Sequence, residues 1–173
     1  MEKLLEIDNI SLQFGGVKAL SEVSFHIEKG EIFSLIGPNG AGKTSMLHCI
    51  SGLYRPSGGS IRYSGHEVLG MKPYRRTDLG IARTFQNIAL FAQMSVLDNL
   101  KLGRHTLMNS GFLSGGFYFG KASREEINHR KEIEKVIEFL DLQDIRHDPV
   151  GTLPYGLQKR VEIGRALALN PEL

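Results

Sequence analysis

Residues 37–44 read Gly-Pro-Asn-Gly-Ala-Gly-Lys-Thr. They satisfy the pattern G-x-x-x-x-G-K-[ST] at each fixed position: Gly37, Gly42, Lys43 and Thr44. The spacing has a chemical reason. Gly40 and Gly42 let the backbone approach an anion and adopt conformations closed to other residues. Successive N–H groups from Asn39 to Ser45, with Pro38 and Ala41 completing the loop, then turn inward onto phosphate oxygens. The dipole of a following helix adds to their pull. Lys43 reaches toward a β/γ-phosphate, and Thr44 offers a hydroxyl to Mg²⁺. An ordinary glycine-rich turn would need neither a buried strand before it nor a helix after it.

Both are expected from the flanking sequence. Glu31 to Gly37 is a nearly continuous apolar run, as in a strand buried on both faces. Lys43 to Leu53 reads as a helix, with Met46, Leu47 and Ile50 on one face and Gly52 at its end. Upstream, Leu5 and Ile7, then Ile10, Leu12 and Phe14, alternate with polar residues. They predict a strand with a bulge near Asn9. A Gly15-Gly16 turn leads to a second strand carrying Val23, Phe25 and Ile27. Downstream, residues 56–65 read as turn, short strand and turn, and residues 80–87 as another short strand. Three helices follow. One opens at Ser95 with Asp98 at capping-box spacing. One opens at Ser123 with Glu126, and carries Ile133, Val136, Ile137 and Leu140. The last runs over 157–170 and stops at Asn170-Pro171. Residues 108–120, rich in Gly and aromatics, read as a surface loop.

Composition bounds the rest. The chain has 173 residues, with 41% hydrophobic and 23% charged residues and a net charge of +2. That balance fits a globular protein and argues against nucleic acid as a partner. A single cysteine, Cys49, excludes an intrachain disulfide and reads as a small buried hydrophobe. The histidines show no metal-ligand spacing. No apolar run approaches the roughly 18 residues of a membrane span.

Residues 14–65 together closely resemble the first half of an ABC transporter ATP-binding subunit. "RTFQN", residues 83–87, resembles that family's Q-loop. "LPYGLQKRVEIGRALALNPEL", residues 153–173, resembles its signature segment and helix. The Gly/aromatic stretch at 110–120 and the "LPYGLQKRVEI" form resemble the branched-chain amino acid importers within it. The resemblance implies an α/β fold of the P-loop NTPase, ABC ATPase type. It has an amino-terminal antiparallel β subdomain and an inserted helical subdomain. Expected boundaries are 1–87 for the β subdomain and P-loop core, 88–165 for the helical part with the signature, and 166–173 for the return to the core.

The resemblance also implies roles. Lys43 and Gln86 would be catalytic, with Thr44 and Gln86 on Mg²⁺. ATP would be held by Phe14 against adenine, by Gly37, Pro38, Asn39, Gly40, Ala41, Gly42, Lys43, Thr44 and Ser45, and by Gly156 across a dimer. An aromatic packing on the core is the plainer reading of Phe14, and a solvated loop residue that of Gln86. The signature departs from the common "LSGGQ". Pro154, Tyr155 and Leu157 stand where Ser, Gly and Gln would be, and Pro154 brings neither hydroxyl nor N–H. Only Gly156 is carried over.

Such subunits work with transmembrane permease subunits and a second ATP-binding subunit, on the cytoplasmic face of the inner membrane. In them a further strand ending in Asp and then a catalytic Glu follow, which the printed sequence does not reach. This chain alone is therefore expected to bind nucleotide and hydrolyse it close to background. The apolar face of residues 31–37 is expected to be exposed. Two other readings stay open. One is a non-catalytic protein that binds nucleotide or a transporter subunit. The other is an ABC ATPase of another class, such as lipopolysaccharide export.

Overall fold

The computed structural model describes residues 2–86, 88–104 and 121–173, without the side chains of 121–126. The chain divides into two compact units, residues 1–81 with 172–173, and residues 82–171. Each has its own apolar core.

The first unit is built on an antiparallel sheet. Strand β1 (Lys3–Phe14) pairs with β2 (Val17–Glu28) across the Gly15-Gly16 turn. On its other edge β1 pairs with β3 (Gly58–Tyr63), which continues into the short β4 (His66–Glu67). The order is β2-β1-β3-β4. The expected bulge is present: Asn9 has φ +50, and the register shifts between Ile7 and Ile10. The bulge keeps Leu5, Ile7, Ile10 and Leu12 all buried on the core face. Ser64 and Gly65, both with positive φ, form the two-residue turn between β3 and β4. Helix α1 (Lys43–Ile50) contributes Met46 and Cys49 to the core. The expected face is corrected here: Leu47 is half exposed, and Cys49 takes its place. A short helix not foreseen, α2 (Pro73–Asp78), starts on a proline at its first turn.

Two expected strands do not form. Residues 31–37 have no ladder partner among the described residues, and Ile32 and Ile36 are 96% and 90% exposed. An apolar run becomes a strand only where a neighbour takes its backbone groups. Phe33 instead stacks on Phe25 of β2, with ring centroids 4.9 Å apart. The exposure expected for this segment is what the structure has. Residues 80–86 likewise make no strand. The Gly80 carbonyl accepts from both Glu172 and Leu173 N–H groups, at 3.0 and 3.2 Å, which starts no regular ladder.

The second unit is helical: α3 (Val96–Arg104), α4 (Lys121–Phe139) and α5 (Tyr155–Leu167), with 3₁₀ turns at Gln143–Ile145 and Val150–Thr152. Val96, Leu100, Ile133, Ile137, Leu142 and Val161 are buried together. The apolar stripe expected on α4 faces this core. Gly164 lets α5 close onto its neighbours: a Cβ there would lie 2.8 Å from a Leu100 methyl and 3.0 Å from one of Leu140. Asn99 is fully buried and satisfied, donating to the carbonyls of Phe91, Met94 and Ser95 and accepting from the Phe91 N–H. It pins the loop that leads into α3. Helix α4 begins at Lys121, so Ser123 lies within its first turn and is not its cap. Helix α5 ends at Leu167, short of Asn170. The loop expected over 108–120 lies outside the described residues.

Candidate functional site

The phosphate-type loop is shaped by two glycines. Gly40 and Gly42 both have φ +84. Gly42 is also hemmed in: a Cβ there would lie 2.6 Å from the Ala19 carbonyl oxygen and 2.8 Å from a Leu20 methyl. Gly40 faces open space. Gly42 caps α1 and accepts the Met46 N–H at 2.9 Å. Inside the loop, the Ala41 N–H donates to the Pro38 carbonyl at 3.2 Å. The N–H groups of Gly40, Gly42, Lys43, Thr44 and Ser45 have no acceptor among the described residues. They are gathered at the positive end of the α1 dipole. Lys43 folds back over the loop. Its ammonium donates to the carbonyls of Gly37 at 2.7 Å and Pro38 at 2.6 Å. Gly37, Pro38, Asn39 and Thr44 are exposed. Apart from the Ala41 N–H, which the Pro38 carbonyl takes up, the expected donors lie along one accessible loop with a cation beside them.

Three things hold α1 in place. Met46 and Cys49 are buried under the sheet. The helix ends in a Schellman turn, Gly52 at φ +79, with Leu53 N–H on the His48 carbonyl at 2.9 Å. The third is Arg76 of α2, which sequence reasoning missed. Its side chain is 1% exposed. The guanidinium donates to the last carbonyls of α1, Cys49 and Ile50, both at 2.6 Å, and to Leu69 at 3.1 Å and Met71 at 3.3 Å. Burial pulls its pKa below the ordinary guanidinium value, yet an arginine stays charged. It holds a positive charge at the negative end of the α1 dipole. Nothing in the local sequence marks it, because its partners are backbone carbonyls.

Phe14 closes β1 and is 48% exposed. It meets Tyr54 edge-on at 5.0 Å, and Tyr54 meets His48 at 4.6 Å. Phe14 therefore keeps a free face and is not a core residue. Gln86 and Gly156 belong to the second unit. Gln86 is exposed. Gly156 lies in the first turn of α5, after Pro154 at the cap, and a Cβ there would meet open space. Leu157 and Gln158 donate to the Pro154 carbonyl. Cys49 is a free, fully buried thiol whose pKa is raised by burial, against the opposing charge of Arg76.

The family model for ABC transporters matches residues 20–173. The chain belongs to the ABC transporter family. It is 36% identical over 170 residues to the high-affinity branched-chain amino acid transport ATP-binding protein BraF of Pseudomonas aeruginosa, covering 98% of this chain and 67% of that protein. It is 33% identical to LivG of Escherichia coli K12, a protein of the same description, over 99% of this chain and 68% of the relative. Among solved structures it is similar to an ATP-binding cassette of an ABC transporter in its ADP conformation, with TM-score 0.81 and 34% identity over 99% of this chain and 66% of that one. A nucleotide-free ATP-binding cassette gives TM-score 0.78 at 34% identity, over 98% of this chain and 66% of that one. The chain spans about two thirds of the length of the relatives it matches. The ATP-binding cassette fold expected from sequence is therefore the fold it has. Among the described residues no helix is long and apolar enough to cross a membrane.

Proposed function

We propose that this chain is the nucleotide-binding part of an ATP-hydrolysing subunit that powers an ABC importer, with branched-chain amino acids as the cargo. The observation that carries the nucleotide assignment is the array of unused N–H groups of Gly40, Gly42, Lys43, Thr44 and Ser45, at a helix N-terminus beside the Lys43 ammonium. The cargo class is supported by the names of BraF and LivG.

In this reading residues 37–45 bind the phosphates of ATP. Lys43 leaves the Gly37 and Pro38 carbonyls for phosphate oxygens. A free hydroxyl beside a phosphate loop suits magnesium, so Thr44 is the metal-facing residue, and the exposed face of Phe14 takes the adenine. Magnesium supplies charge neutralisation at the phosphates when bound. Gln86 is assigned as the second metal-facing, catalytic residue from its place after Arg83-Thr84-Phe85. Gly156 is assigned to the ATP of a second subunit, where the first turn of α5 presents backbone N–H groups. Residues 1–87 are assigned as the β and P-loop core, 88–165 as the helical part with the signature and 166–173 as the return to the core, although residues 82–87 cluster with the helical unit. The subunit works against permease subunits at the cytoplasmic face of the membrane.

The test is Lys43→Ala in the whole subunit. ATP-dependent pairing of two subunits, read by light scattering, should disappear. Undiminished nucleotide binding and pairing in that variant would remove the assignment.

A further inference from the structure

Residues 81–86 carry no helix or strand, yet the backbone of Phe85 and Gln86 is held. One face of α5 does this with two side chains three residues apart. Glu162 is 2% exposed, and its Oε1 accepts the Phe85 N–H at 3.2 Å. Lys159 Nζ donates to the Phe85 carbonyl at 3.1 Å and to the Gln86 carbonyl at 3.2 Å. The two side chains also bind each other, Lys159 Nζ to Glu162 Oε2 at 2.8 Å. Both carboxylate oxygens and the ammonium are thus committed to one clasp. The ion pair is half sheltered, with Lys159 at 29% and Glu162 at 2% side-chain exposure. A buried carboxylate is costly unless its oxygens are satisfied. Here the satisfying groups are the Phe85 amide and Lys159. The segment carrying Gln86 therefore has its backbone position set by a helix, while the Gln86 side chain stays exposed.

We infer that Lys159 and Glu162 are positioning residues for Gln86. They make its peptide ride on α5, the same helix whose first turn holds Gly156. A shift of α5 along its axis then moves Gln86 with it, through two side chains and not through a continuous element. This rests on the proposed role of Gln86, but the clasp itself does not.

The experiment has two readouts. The first is amide hydrogen exchange of the 173-residue chain. In Glu162→Gln and in Lys159→Met, the amide of Phe85 should exchange at least ten-fold faster. Amides of α3 and of Val161 should hold their rates, which a merely structural role would not allow. Lys159→Arg, which keeps a donor, should restore protection. Lys159 is the more exposed partner, so its variants serve if Glu162→Gln fails to fold. The second readout is ATP turnover by the assembled transporter. Glu162→Gln should lower kcat about ten-fold, as loss of a charge-assisted hydrogen bond predicts, with KM changed less than two-fold. Added to Gln86→Ala it should change nothing further. Unchanged Phe85 exchange in both variants, or a full additional loss in the double variant, would overturn the inference. A wild-type transporter without turnover would instead sink the proposed function, and the exchange data would still decide the clasp.

Discussion

At the scale of single residues, the two left-handed glycines of the loop separate two causes that sequence cannot. Gly40 and Gly42 share φ +84, but only Gly42 also touches the β2 backbone at Ala19. Gly40→Ala should therefore cost only the backbone strain, about 1–2 kcal/mol. Gly42→Ala adds a clash that must push α1 off the sheet. It should cost clearly more in urea unfolding and should reduce ATP affinity at least ten-fold. Equal effects of the two would mean that the close approach carries nothing. Arg76→Met makes a second comparison. It leaves the Cys49 and Ile50 carbonyls without their donor, a cost of about 1–3 kcal/mol for each buried group left unsatisfied. The midpoint of urea unfolding should fall accordingly. The loop glycines and Lys43 were legible because their spacing is itself the chemistry. Arg76 was not, because it binds carbonyls from two separate stretches, 49–50 and 69–71, and any residue type supplies a carbonyl.

At the scale of elements, alternation along β1 and β2 was readable because one face is buried and the other is not. The bulge at Asn9 was readable too, as a break in that alternation. Residues 31–37 misled for a physical reason. A continuous apolar run states that both faces want burial, but not that a partner strand is present. The start of α3 was the reverse case. Ser95 and Asp98 stood at capping distance, and the structure has the Asp98 N–H on Ser95 Oγ at 3.1 Å and that hydroxyl on Asp98 Oδ2 at 2.7 Å. Ser95→Ala should cost about 1 kcal/mol in thermal or urea unfolding. The hydroxyl of Ser95, and then Lys101, hold the Asp98 carboxyl below the usual carboxylate range. A depressed folded pKa stabilises the fold above the unfolded value, near pH 4. That contribution is lost as pH falls through the folded value. The Tm gap between wild type and Asp98→Asn should be open at neutral pH and close below about pH 4. A gap constant across that range would contradict the assignment.

At the scale of the whole molecule, each unit has its own core, and the first leaves a band of apolar side chains in water. Ile32 and Ile36 are nearly fully exposed, with Phe33 and Leu35 each at 38%. Exposed patches of this kind bind hydrophobic dyes and drive association. The 173-residue chain should therefore enlarge with concentration in light scattering. The double variant Ile32→Lys, Ile36→Glu should reduce both the growth and the dye signal without lowering helix content. The broad fold and the phosphate loop were legible at this scale because family-specific residue strings run in order along the chain. The exposure of Gln86 and its hold on α5 were not, since they depend on side chains more than seventy positions apart in sequence.

The central claim is that residues 37–45 receive the phosphates of a nucleotide. The most direct measurement is backbone amide NMR of the 173-residue chain during titration with MgATP, beside the same titration of Lys43→Ala. Saturable shifts should concentrate at the amides of Gly40 to Ser45, with a ring-current change at Phe14, and should vanish in the variant. Shifts spread elsewhere while the loop stays silent, or an unaltered titration in Lys43→Ala, would contradict the account.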